Sequence, residues 1–172
     1  MIILLNIFAW VSIHIVFSFL TSRLTPKQLQ RLSPLFHSLE MEAGGGMYRF
    51  LKIKKWKKYI SDAGGWFRGG VNKNEIGLSS QQGRITFLLE LNRAELSHWL
   101  QIMPAPFFFI LNNRVESWVM FLYGILFNLP LILVQRYNRM RIVKIMVQYS
   151  PSKSRPSRNL SPQISNHFTN SE

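Results

Sequence analysis

The sequence predicts an all-α integral membrane protein with about three transmembrane helices, amino terminus outside and carboxyl terminus inside, and an amphipathic loop region on the cytoplasmic side. Three observations carry that expectation. The 172 residues are 47% apolar, and the apolar residues are gathered into a few long uncharged runs. Lys and Arg number 21 against 8 Asp and Glu, giving +13; such a balance usually points to nucleic acid, but these basic residues flank the apolar runs, so no nucleic-acid partner is expected. Cysteine is absent, which excludes disulfides, a thiolate nucleophile and Cys-based zinc, iron–sulfur or c-haem sites.

Residues Met1 to Leu20 carry no charged side chain and, at ~1.5 Å per residue, reach about 30 Å, one hydrocarbon core. Residues 1–20 are therefore read as a membrane anchor. A cleavable signal peptide competes, but Met1–Asn6 lacks a basic region and Phe17–Ser22 lacks a small-x-small cleavage site. Leu96 to Leu111 is a second apolar block, kinked or re-entrant because of Pro104 and Pro106. Trp118 to Val134 is the third, with Pro130 near its end, and Asn112–Ser117 is the tight connection between them. Arg23, Lys27 and Arg31 follow the first span, and Arg136, Arg139, Arg141 and Lys144 follow the third. That excess places the central region and the tail inside.

Residues 21–95 form an interfacial loop and helix region. Thr25-Pro26 and Ser33-Pro34 each pair a capping residue with proline and mark two helix starts, and Gly44 to Gly46 reads as a stop and hinge. From Met47 to Ile60, Phe50, Ile53, Trp56, Tyr59 and Ile60 recur at helical spacing among lysines, which predicts a helix lying on an anionic lipid surface. A solvated basic helix covering the protein's own core is the plainer alternative. Ala63 to Gly70, with four glycines around Trp66 and Phe67, reads as a loop, either a simple turn or a cradle for a phosphate or sugar. Residues 150–172 are polar and proline-containing and are expected to form a disordered tail.

Chemistry concentrates in Glu90 to Trp99. On a helix, Glu95 and His98 are i,i+3 neighbours, as are Glu90 and Arg93, so a carboxylate stands beside an imidazole. A carboxylate on one ring nitrogen fixes the tautomer and raises the basicity of the other, as a general base requires. Trp99 is the residue expected at the water boundary. An anchoring cluster at a helix end is the competing reading. His14 reads as a helix-packing residue within the first span, and His37 and His167 have no partner pattern, so no metal site is expected. No Gly-x-Ser-x-Gly elbow, His-Glu-x-x-His or dinucleotide fingerprint occurs, and no cofactor is expected. At the end of the third span, Asn128 and Pro130 are expensive to place in lipid, and Gln135, Arg136, Asn138 and Arg139 form a dense donor set for lipid phosphate, coenzyme A phosphates or sugar hydroxyls.

The run E-x-x-R-A-E-x-x-H-W (Glu90 to Trp99), followed by N-x-P-x-x-x-V-Q-R-Y-N-R-x-R (Asn128 to Arg141), resembles the glycosyl-4,4'-diaponeurosporenoate acyltransferases. The likeness covers about Leu51 to Lys144 and includes a weaker block, Trp56-Lys57 with Ile60. It implies a bacterial plasma-membrane enzyme that places a fatty acyl chain on the glucose of a glycosylated C30 carotenoid, the last step to staphyloxanthin-type pigments. Its partners would be that carotenoid, a fatty acyl donor and the anionic lipid surface.

Roles inferred from chemistry and placed on these motifs make His98, oriented by Glu95, the general base, and Arg93 or Arg136 the oxyanion stabiliser. Substrate binding is assigned to Trp99, Asn128, Gln135, Arg136, Asn138, Arg139, Trp56 and Lys57. Residues 96–149 would form a hairpin and basic end acting as one catalytic unit with 47–95. Phe107, Phe108, Phe109 and Phe127 offer an apolar groove or plain lipid-facing bulk. A non-catalytic membrane subunit or assembly factor is the alternative from another class.

Overall fold

The computed structural model describes residues 2–37, 42, 44–57 and 78–148. Among these, all regular structure is helical. The chain begins with α1 (Ile2–Ser22), whose last turn is closed by its own hydroxyls: Thr21 donates to Phe17 and Ser18 carbonyls and Ser22 to Phe19. Thr25 then forms a capping box with Gln28 and Pro26 opens α2 (Pro26–Arg31), as the sequence predicts. Ser33-Pro34 differs from expectation. It opens only a 3₁₀ turn (Ser33–Phe36) that no side chain caps.

The helix expected over Met47–Ile60 is broken. It forms α3 (Gly46–Phe50) and α4 (Ile53–Trp56), separated by Lys52 in the left-handed region at φ 50°. Tyr48 and Ile53 are five positions apart, about 140° around a continuous helix. The break lets both face Val134, Tyr137 and Met140, and that shared burial offsets the strain at Lys52. Phe50 stays exposed, so the expected single apolar face does not exist. Tyr59 and Ile60, the loop Ala63 to Gly70 and the tail 150–172 lie outside the described residues.

The second apolar block is also not one element. Ser80 caps Gly83 and starts α5 (Gln81–Ile102), which ends before Pro104; a 3₁₀ turn (Ala105–Phe107) and α6 (Phe108–Leu111) complete the return. Two prolines without an N–H explain why the expected kink becomes a full break. The third block lies inside α7 (Arg114–Gln148), a 35-residue helix that carries Pro130 without ending and, at ~1.5 Å per residue, is about 52 Å long.

Antiparallel α5 lies along both long neighbours. Its Arg93 reaches the end of α1, and its Asn92 and His98 meet Arg139 and Asn128 of α7. Aromatic contacts Trp10–Tyr123 and His14–Phe127 run in the same order on α1 and α7, so those two helices are parallel. Asn6 donates to Asn112, closing the far end. Apolar clusters occupy both ends of the bundle: Trp10, Ala105 and Phe108 at one, and Leu29, Ile85, Leu88, Leu91 and Ile142 at the other.

Among the described residues, α1 and α7 are long and apolar enough to cross a membrane. Their outer faces carry exposed Leu4, Phe8, Val11, Val119, Leu122 and Leu126. α5, with its charged first half, does not meet that description, so among the described residues length and composition pick out two spans where the sequence predicts about three.

Gly124 permits the closest helix approach. A Cβ there would stand 2.5 Å from Cη2 of Trp10 and 3.2 Å from Cβ of Ala105. Because Trp10 is stacked on Phe108 at 5.0 Å, its ring has nowhere to swing. Gly124→Ala is expected to cost about 1–3 kcal/mol, read as a lower thermal midpoint in detergent, with no change if the ring yields freely.

Candidate active site

The buried face of α5 is polar through its middle, carrying Glu90, Asn92, Glu95, Ser97 and Gln101, and α7 answers with buried Asn128, Gln135 and Arg139. A polar seam therefore runs between the helices. Such groups are tolerated only when partnered, and most of them are.

Glu95 is fully buried, and its carboxylate is held from α7: Arg136 Nη1 donates to Oε1 at 2.9 Å, and Arg139 pairs with Oε2. Trp99 Nε1 adds a long 3.4 Å contact to Oε1. Arg136 simultaneously grips Glu42 through Nε at 2.7 Å and Nη2 at 3.1 Å. Arg139 completes its own set with Asn92 at 3.0 Å and the Phe36 carbonyl at 2.7 Å. Two carboxylates and two guanidiniums thus form a charge-neutral group tying α5 and α7 to Phe36 and Glu42.

His98 has a different partner from the one its spacing suggests. Its Nδ1 lies 3.0 Å from Asn128 Oδ1. Asn128 Nδ2 donates to the Gly124 carbonyl at 2.9 Å, so Oδ1 must be the acceptor and His98 carries its hydrogen on Nδ1. Nε2 is then the ring nitrogen with the lone pair. Asn128 is the orienting residue, and the expected Glu95–His98 pairing is corrected: two guanidiniums outcompete a neutral imidazole for the carboxylate.

Arg93 forms the pair with Glu90 that its spacing predicts, at 3.1 Å, and donates to the carbonyls of Thr21 at 3.3 Å and Ser22 at 2.7 Å, capping α1. Glu95 is two positions, about 200°, further round the helix, so Arg93 does not join the group around that carboxylate.

Of the expected substrate-binding residues, Asn128, Arg136 and Arg139 join the seam, Gln135 is buried beside them on α7, and Trp99 is half exposed at its edge. Asn138, Trp56 and Lys57 form a separate group on another face of α7. There Lys57 Nζ donates to Asn138 at 2.7 Å and sits 4.7 Å from the Tyr137 ring centre. Burial, and then the Arg141 charge, lowers the Lys57 pKa. Trp56 Nε1 bonds the Leu51 carbonyl at 3.0 Å. Of the expected phenylalanine groove, Phe108 is instead core, stacked on Trp10, whereas Phe107, Phe109 and Phe127 are exposed.

Glu42, Asn92, and the His14–Gln101 pair at 2.8 Å were not singled out by sequence reasoning. Glu42 had one readable signal: it is among only 8 acidic residues in a chain of 21 basic ones, next to the glycine hinge. Among the described residues, no three His, Asp or Glu side chains converge as metal ligands.

Tyr48 is buried near Glu42. Burial first, and then the Glu42 carboxylate, push its pKa above 10.0. A raised folded-state pKa means that stability is whole below about pH 10 and falls as the pH rises beyond it, where only the unfolded chain releases its proton. The hydroxyl meets strict hydrogen-bond geometry with none of the described residues, although the Glu42 carboxylate and the Arg136 guanidinium both act on it. Tyr48→Phe should therefore leave neutral-pH stability near the parent's and blunt the loss on raising the pH from 9 to 11, measured by thermal unfolding in detergent.

The model of the glycosyl-4,4'-diaponeurosporenoate acyltransferase family matches residues 32–148, more than half of the chain. Similar proteins carrying that name come from Staphylococcus aureus strains. The protein of strain MRSA252 is 27% identical and that of strain bovine RF122 / ET3-1 is 26% identical, each over 138 residues, 80% of this chain and 83% of the relative. No solved structure matches the chain.

Proposed function

The chain belongs to the glycosyl-4,4'-diaponeurosporenoate acyltransferase family, and from that membership we propose that it is an integral membrane O-acyltransferase acting on the glucose of a glycosylated C30 carotenoid. The product is the fatty ester that ends a staphyloxanthin-type pathway. The observation carrying the mechanism is the 3.0 Å contact that fixes His98 Nδ1 on Asn128 inside a polar seam.

In the proposed reaction His98 Nε2 accepts the proton of the primary sugar hydroxyl while that oxygen attacks the acyl carbonyl. Collapse of the tetrahedral intermediate breaks the bond to the donor's leaving group, which takes the proton back from the imidazolium. General-base help of this kind gives typically ~10²–10⁴ in rate. Asn128 holds the tautomer. Arg136, its charge balanced by Glu42 and Glu95, anchors the seam at a point one turn of α5 from His98. Gln135 and Arg139 brace the seam about 10–16 Å along α7 from Asn128, while Trp99, Asn138, Trp56 and Lys57 contact the substrates at the headgroup layer. The carotenoid and acyl chain lie along the exposed Phe107, Phe109 and Phe127.

This reading places α1 and α7 across the plasma membrane in one direction, with the amino terminus outside, and the α5–α6 return between them. The apolar outer faces of α1 and α7 support it. Cells that make the glycosylated precursor should gain a carotenoid heavier by one fatty acyl group when this protein is expressed. An unchanged carotenoid mass, with the protein present in membranes, overturns the proposal.

A further inference from the structure

Within α1, two buried polar atoms have no partner among the described residues. Trp10 Nε1, a donor, and His14 Nε2 are both shielded from solvent and make no hydrogen bond. Gln101 decides the polarity of the second. Its amide nitrogen lies 3.1 Å from both Ser18 Oγ and Ser97 Oγ and its oxygen 2.8 Å from His14 Nδ1; in this amide orientation Nδ1 is the donor, and Nε2 of the neutral ring carries the lone pair. Trp10 and His14 are one turn apart on one helix face, with ring centres 5.7 Å apart and planes inclined by 30°. Trp10 itself is only 3% exposed.

A buried donor and a buried acceptor left unmade each cost about 1–3 kcal/mol, so a fold that keeps both side by side gains from a ligand that satisfies them. A hydroxyl is the smallest group that both donates and accepts. A sugar presents several, spaced along one edge.

The place fits the seam. Gln101 is one turn, about 4.5 Å, beyond His98 on α5. On α7, Phe127, next to Asn128 in sequence, packs on the His14 ring at 4.9 Å. The two imidazoles thus flank one α5–α7 junction, each with Nδ1 fixed by a side-chain amide oxygen. Tyr123 and Phe127 cover His14, are themselves exposed on the outer face, and stack on each other at 5.5 Å, so rotation of those rings opens the group sideways.

We propose that Trp10 and His14 form a hydroxyl-binding subsite for the sugar of the acceptor, holding hydroxyls that do not react while His98 addresses the one that does. The inference rests on the acyltransferase reading for the identity of the sugar. It adds a contribution from α1, a helix that precedes the matched residues 32–148.

The test uses the full chain, labelled with ¹⁵N-histidine in phosphocholine micelles and titrated with dodecyl β-glucoside. A saturable shift of His14 Nε2 is expected, with Nδ1 unmoved, and Trp10→Phe should raise the midpoint about 3–10-fold, the loss of one neutral hydrogen bond. In acylation assays, Trp10→Phe and His14→Phe should each raise the KM for the glycosylated acceptor by a similar factor, leaving kcat within about twofold. A His14 signal that ignores the glucoside, including one already hydrogen-bonded to water, overturns the subsite. So does an equal loss of abundance and kcat with unchanged KM, which would mean that the pair only packs helices. Glucoside binding without any acyl transfer would instead sink the acyltransferase reading and leave the subsite standing.

Discussion

Glu95→Leu is expected to remove most of the protein from the membrane fraction. The carboxylate is fully buried and pairs with Arg136 and Arg139, and its loss leaves Arg139 a buried cation held by Asn92, the Phe36 carbonyl and the Phe36 ring, with no carboxylate directly on it among the described residues. Breaking a buried pair from one side costs about 3–5 kcal/mol, a large part of a typical fold's stability. Glu95→Gln should fall in the same direction by less, since an amide still accepts one donor. The double variant Glu95→Leu with Arg139→Met should recover part of the abundance, because no charge is then stranded. Immunoblotting of membranes against a detergent melting curve reads all three. Normal abundance in Glu95→Leu would show that these charges are hydrated in the membrane.

His98→Gln should behave in the opposite manner. It exchanges the ring for an amide that can still bond Asn128, so abundance should stay near the parent's. Acylation, in contrast, should drop by ~10²–10⁴, or about 3–5 kcal/mol of barrier. The ratio of acylated to unacylated carotenoid per unit of membrane protein is the measurement. A ratio within threefold of the parent's would remove His98 from the chemistry. Together the two substitutions separate what holds the seam from what works in it, although the residues are three positions apart.

That proximity explains what was and was not legible in the sequence. Local signals read well: the Thr25 capping box, the prolines that end α5, and Asn128 and Pro130 inside a long helix all appear as their chemistry dictates. Helical spacing could say that Glu95 and His98 are able to meet. It could not say that a guanidinium 41 positions away would reach the carboxylate first, because partner choice between helices depends on which faces pack. The Lys52 break was hidden for the same reason, since its benefit lies in contacts with Val134 and Tyr137. The motif likeness over Leu51 to Lys144 fell within the matched span 32–148, but its first nineteen matched positions carried Phe36 and Glu42, which proved to be partners of the arginines.

The neutral quartet bears on how the chain is assembled. Glu95 belongs to one arm of the α5–α7 hairpin and both arginines to the other, so neither arm enters a lipid phase cheaply alone. Insertion of the two arms as a zipped pair sets Glu95 against both arginines, and Glu42, from outside the hairpin, completes the balance. Biogenesis would then wait on synthesis of the final third of α7, and a ribosome stalled before Arg136 should leave the nascent hairpin extractable from the bilayer by alkali.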